Sequence, residues 1–203
     1  MAEGIKIEIY RQKNAEEFTA ALADPDSRLE TGSGAAATAA VAAAFLCRAA
    51  VLTERTAGEN ERVAYIARNA EILRKYMVHL IDEDVHSRGP LRRAVKEGGA
   101  QEIEAARQPA VSIAREIVNM MGQLIDLAKE LTAFCPQEGM HFLAACAELA
   151  LASMRASRHY IVDMSDKSSD ETYRYINRRE NEILLGAASA SAEELLAAAE
   201  KQI

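Results

Sequence analysis

Apolar residues recur along most of this chain at intervals of three and four, the period of helices that lie on a core. From Arg62 to Val85 the stripe is Val63, Ile66, Ala67, Ala70, Leu73, Met77 and Leu80 or Ile81, and Gly89-Pro90 ends the helix it predicts. A longer helix is predicted over about 101–133, with Ile113, Ile117, Met121, Leu124, Ile125 and Leu131 on its apolar side. Pro109 inside it predicts a restart or a kink. Residues 138–162 give a further helix, rich in small side chains. Upstream, Thr31-Gly-Ser-Gly34 opens the run AAATAAVAAAFLCRAAVLT, small or apolar on every side. That pattern predicts a buried central helix ending near Thr53, whose alanines let neighbouring backbones approach closely.

The ends of the chain carry shorter signals. Asn14 and Glu17 form a capping-box pattern ahead of a short helix with Phe18 and Leu22 on one face. Ser168 with Glu171 and Ser191 with Glu194 repeat that pattern, predicting two tail helices over 169–185 and 192–202 with Gly186 capping the first. Residues 5–9, IKIEI, alternate with a strand period and predict an extended arm that pairs across a subunit interface. The reading is an arm at 1–13 and one all-α domain at 14–203. Its architecture is an antiparallel up-down helical bundle with Ala-rich central helices.

Composition agrees and removes several classes. Among 203 residues there are 40 alanines, no Trp and only 5% aromatic residues, the make-up of a helical rather than a β protein. The formal net charge of −7 argues against a nucleic-acid partner, since phosphate binding wants a basic face. The charged N-terminus lacks the apolar core of a secretory leader. The longest uncharged stretch, between Glu30 and Arg48, is mostly Ala and shorter than a membrane span, so no transmembrane helix is expected. Cys47, Cys135 and Cys146 have no paired spacing and read as reduced thiols in a cytoplasmic protein.

Two places could carry chemistry. Thr31-Gly32-Ser33-Gly34 reads as a loop before the buried helix, where free N–H groups and small side chains would admit an anionic or carbonyl-bearing ligand. The same residues also suit an ordinary N-cap, Thr31 or Ser33, with glycines for close packing. The second place is His79-Leu-Ile-Asp82-Glu83-Asp84-Val-His86. A partly buried carboxylate there suits a general acid or base. His79, Glu83 and His86 share a helix face and form a rival metal set, and a solvated acidic helix end is the third reading. Arg155, Arg158 and His159 could line an anion cleft or simply a solvated face.

Four blocks in order resemble a known family. EEFTAALADPDSRLETGSGAAATAAVAAAFLCRAAVLT is similar to the opening of formiminotetrahydrofolate cyclodeaminases and bacterial methenyltetrahydrofolate cyclohydrolases, and LIDEDV, RQPAVSIARE and AELALASMRAS resemble later blocks. The resemblance covers about 14–165. It implies a homodimeric all-helical protein that takes a tetrahydrofolate derivative as substrate, with no metal. Thr31, Gly32, Ser33 and Gly34 would contact that ligand. Asp82 would serve as general acid or base for C–N chemistry at the one-carbon bridge, with Asp84 as its neighbour. The departures are in the pocket. The family's triple glycine is Gly32-Ser33-Gly34, its following serine is Ala35, and the prolines that flank its threonine are missing, with Leu29, Glu30 and Thr31 in their place. Its Ser-Asp falls near Glu138-Gly139, and its asparagines fall near Ser157 and Ile161. The alternative is therefore a non-catalytic dimeric paralogue binding another small molecule or a protein.

Overall fold

Local propensity and the apolar stripes together build seven α-helices in the computed structural model, which describes residues 9–201. They are α1 (Ala15–Ala23), α2 (Thr31–Ala57), α3 (Glu61–Ser87), α4 (Gly89–Glu97), α5 (Ala100–Leu131), α6 (Gln137–Asp166) and α7 (Glu171–Glu200). A 3-10 turn at Tyr10–Gln12 precedes them, and no strand occurs among the described residues. Of the predicted arm pairing, residues 5–8 lie outside the described residues.

The bundle is built around α2 and α6. Helix α2 packs chiefly against α3 and α6, while α5 lies against α3, α6 and α7. Short connections make sequential helices antiparallel neighbours. Ala36, Ala39, Ala42, Ala43, Ala49 and Ala50 are buried on α2, in one core with the α6 residues Leu143, Cys146, Ala147, Ala150 and Met154. Small side chains on both partners bring the backbones close enough for Ser153 of α6 to donate to the Ala35 carbonyl at 2.8 Å. Larger residues, among them Leu46, Ile66, Met77, Ile117 and Leu124, fill the layers around this seam. Each contributes roughly 1.5–3 kcal/mol through burial. Leu91, Ala94, Ala106 and Ala110 form a smaller core that docks α4 onto the first half of α5.

Several element ends differ from the sequence expectation, each for a local reason. The expected loop at Thr31–Gly34 is the first turn of α2, with Glu30 as its N-cap residue and no side-chain cap. First-turn N–H groups have no intrahelical partner in any helix, so glycines there lose little, and the alanine run extends the helix back over them. At the other end α2 passes Thr53 and stops at Gly58, whose φ of 77° is the left-handed stop that glycine permits. The tail is one helix, not two. Gly186 sits inside α7, and Asp170, rather than Ser168, caps it by accepting the Tyr173 N–H at 3.0 Å. Ser168 instead donates to Glu104 of α5. Helix α5 continues through Pro109 without a break.

Helix α2 is not buried all round. Val41 is 50% exposed and Val51 41%, and Ala44 is exposed beside them. By length and composition alone Thr31–Thr56 could cross a membrane, with a mean hydropathy of 1.9, and half of its apolar window is buried in the bundle.

Candidate functional site

The end of α3 and the start of α2 meet at one carboxylate. Asp84 is fully buried, 0% exposed, among Leu80, Ile81 and Val85 of its own helix. Its Oδ2 accepts from Ser33 Oγ at 2.7 Å and from Arg88 Nη2 at 2.5 Å. Arg88 is itself buried one turn on. Its Nε donates to the Asp84 carbonyl at 3.2 Å, and its Nη1 is paired with the Glu30 carboxylate. The Asp84 Oδ1 atom has no hydrogen-bond partner among the described residues and lies over the Cα of Gly32, so that a Cβ there would overlap it. Glycine at 32 is thus a packing requirement: it lets the first turn of α2 sit on a buried carboxylate. A carboxylate inside a core is stable only when paired and hydrogen-bonded, and Ser33 and Arg88 supply those partners.

Asp82 points elsewhere. Two residues apart on a helix means about 200° of rotation, so the two aspartates leave α3 on different sides. Asp82 is also buried, but its Oδ1 accepts the Tyr10 N–H at 2.7 Å and the Arg11 N–H at 3.4 Å. The Arg11 guanidinium lies 3.1 Å from its Oδ2. Asp82 therefore anchors the turn before α1, and Tyr10 is buried by that anchoring.

The remaining sequence candidates separate in the same way. Thr31 is exposed, Ser33 holds Asp84, and Gly34 faces the Leu22 side chain of α1. His79 and His86 both approach Glu83, at 3.5 and 3.7 Å, on the solvent side of α3. No group of three or more His, Cys, Asp or Glu placed to hold a metal ion occurs among the described residues. Arg155 and His159 are exposed on α6. Cys47 and Cys135 are free thiols, as is Cys146. Burial first, then the Glu71 charge, pushes Cys47 up to about 11, away from thiolate reactivity.

Two residues complete the cluster: Tyr160, which sequence reasoning passed over, and Ser157, which stands near one of the asparagines of the resembled family. Tyr160 of α6 lies under the Arg88 guanidinium, 5.6 Å from ring centroid to Cζ, at the outer range of a cation–π contact. Burial pushes its hydroxyl up to about 12, and the Arg88 cation opposes this in part. Tyr160 Oη and Ser157 Oγ, one helical turn apart, are buried with no hydrogen-bond partner among the described residues. Ser153, Ser157 and Tyr160 follow one face of α6, and that spacing was the available signal. Beside the cluster, a cleft of about 560 Å³ opens between the α1–α2 connection and the start of α4, lined by Asp26, Ser27, Arg28, Glu30, Arg92 and Arg93.

Together these side chains can orient a polar ligand, hold the Asp84 carboxylate in a dry site and offer the Tyr160 hydroxyl near it. Comparison with known proteins adds the relationship. No curated protein matches this chain. Among solved structures, formiminotetrahydrofolate cyclodeaminase from Thermotoga maritima superposes with a TM-score of 0.87 at 19% identity, covering 94% of this chain and 97% of that one. At that identity the match speaks for the fold. The sequence profile of formiminotransferase-cyclodeaminase matches residues 14–181, most of the chain, and on that match the chain belongs to the formiminotransferase-cyclodeaminase family.

Proposed function

We propose that this protein is a cytoplasmic, homodimeric one-carbon folate enzyme acting on a C–N bond of a tetrahydrofolate derivative. The reaction is opening of the methenyl bridge by water or loss of ammonia from the formimino form. The observation that supports it most is the meeting of Gly32, Ser33 and Asp84, which joins the glycine turn and the D-x-D block across 51 residues of sequence between Ser33 and Asp84. The methenyl carbon is a cationic electrophile, so a held carboxylate and a positioned water suffice to open it. The motif position gave the proton transfer to Asp82. Our reading moves it to Asp84, the carboxylate that meets the glycine turn through Gly32 and Ser33, whereas Asp82 meets the turn before α1 through the Tyr10 and Arg11 N–H groups.

The test is the near-ultraviolet absorbance of methenyl-tetrahydrofolate, with ammonia release from the formimino compound measured in parallel. Wild type is expected to exceed the buffer rate. Asp84→Asn is expected to lose about 100-fold or more, and Asp82→Asn about tenfold or less. Wild type at background with both compounds overturns the enzymatic reading. One observation favours the second reading, a non-catalytic paralogue: Arg88 fills the space beside Asp84 and ties that carboxylate to Glu30. A dimer that binds folate without turnover is its expected result.

A further inference from the structure

We propose that the cleft between the α1–α2 connection and the start of α4 is an oxyanion site, in which Arg28, Arg92 and Arg93 take a carboxylate or phosphate group. The chain as a whole is acidic, with net charge −7, yet this one cleft of about 560 Å³ gathers three arginines against Asp26 and Glu30. Glu30 is already engaged by the buried Arg88, which leaves Asp26 as the opposing charge. Arg28 and Arg93 are exposed and have no ion-pair partner among the described residues. Arg92 donates one nitrogen to the Val85 carbonyl at 2.7 Å, and its other terminal nitrogen is buried without a hydrogen-bond partner. Burial and the Arg88 and Arg28 charges hold its guanidinium below the usual arginine range, against Glu30 and Asp84. Such crowding of cations is relieved by an anion. Planar guanidinium groups match the oxygens of carboxylates and phosphates in pairs.

Glu30 belongs to this cleft and to the Asp84 cluster at once. A ligand whose anionic end sits on these arginines would therefore lie against Glu30, next to the Asp84 cluster. On the folate reading that end is the glutamyl dicarboxylate; the anion site itself does not rest on that reading. The occupant is either the anionic end of the Asp84 ligand or a free anion, and the test separates them.

The full chain and its Arg28→Gln/Arg93→Gln variant are compared, both substitutions being of exposed, unpaired side chains. Inorganic phosphate is titrated while thermal unfolding is followed. Tetrahydrofolate and tetrahydropteroate, which lacks the glutamyl group, are titrated by calorimetry. Phosphate is expected to raise the Tm of wild type and to bind the variant about tenfold more weakly. If the ligand tail is the occupant, wild type prefers tetrahydrofolate about tenfold and the variant loses that preference. If wild type binds the two pterins alike while phosphate protection depends on the arginines, a free anion is the occupant and the site stands. Equal phosphate protection and equal pterin preference in both proteins overturn it, as does no arginine-dependent effect of any ligand. Failure of both pterins to bind counts against the folate reading alone, and the phosphate titration then decides the site.

Discussion

Gly32 and Gly34 lie two residues apart in the same helical turn, and the structure gives them opposite tolerances. A Cβ at Gly32 overlaps the buried Asp84 carboxylate, which is pinned by Ser33 and Arg88. A Cβ at Gly34 meets Leu22 Cδ2 at 3.3 Å, on an exposed side chain that turns aside. Gly32→Ala is therefore expected to destabilise by about 1–3 kcal/mol through overpacking. Gly34→Ala is expected to leave Tm unchanged or to raise it, since alanine is favoured in a helix. Thermal denaturation of the two variants checks this, and equal losses would refute it. Two tyrosines give a pH expectation. Tyr160 is pushed up to about 12 by burial, and Tyr76 up to about 12, first by its hydrogen bond to Glu116. In the unfolded chain both ionise near pH 10. Their contribution is thus complete below pH 10 and is lost as pH rises from 10 to 12. Urea unfolding at pH 9 and pH 11 should show that decline, smaller in Tyr160→Phe. The sequence showed the Asn14–Glu17 box because its partners are three residues apart, and the structure has both of its bonds. It could not show Gly32 against Asp84, because periodicity reports which face a residue occupies and not what that face meets.

Helices were more legible than their ends. The stripes of α3, α5 and α6 located those elements because burial of one face imposes a 3.6-residue period over many turns. Ends rest on one or two residues, and there similar signals have two outcomes. Gly58 stops α2 because it adopts a positive φ, the one such glycine among the described residues. Gly186 does not, and α7 runs through it because Ala188, Ala192, Leu195 and Ala199 continue the buried stripe beyond. Tertiary packing outweighs a penalty of about 1 kcal/mol for a helical glycine. A Cβ at Gly186 meets nothing within 4 Å. Gly186→Ala is accordingly expected to stabilise the protein by about 0.5–1 kcal/mol, read as a higher urea midpoint at unchanged slope. A loss of stability would mean that the helix needs to open there.

At the scale of the molecule, α2 holds the balance. It is the most apolar long helix and it carries the first turn of the candidate site, yet its outer face, with Val41, Ala44 and Val51, is uncovered in one chain. A second copy, as the family resemblance implies, would cover that face with the same surface from its partner, since a two-fold interface is self-complementary. Alanine and valine suit this: they let two α2 helices approach as closely as α2 and α6 do within the bundle. The expectation is a dimer by sedimentation at micromolar concentration, shifted to monomer by Val41→Glu/Val51→Glu with helicity retained. The double substitution puts charge on exposed positions, so the fold has no reason to fail with it. If α2 instead met a bilayer, wild type would float with lipid vesicles and remain monomeric without them. Sedimentation that finds wild type monomeric without lipid sinks the dimer. A dimer unaffected by the two glutamates moves the interface elsewhere on the bundle and leaves the α2 face open to solvent.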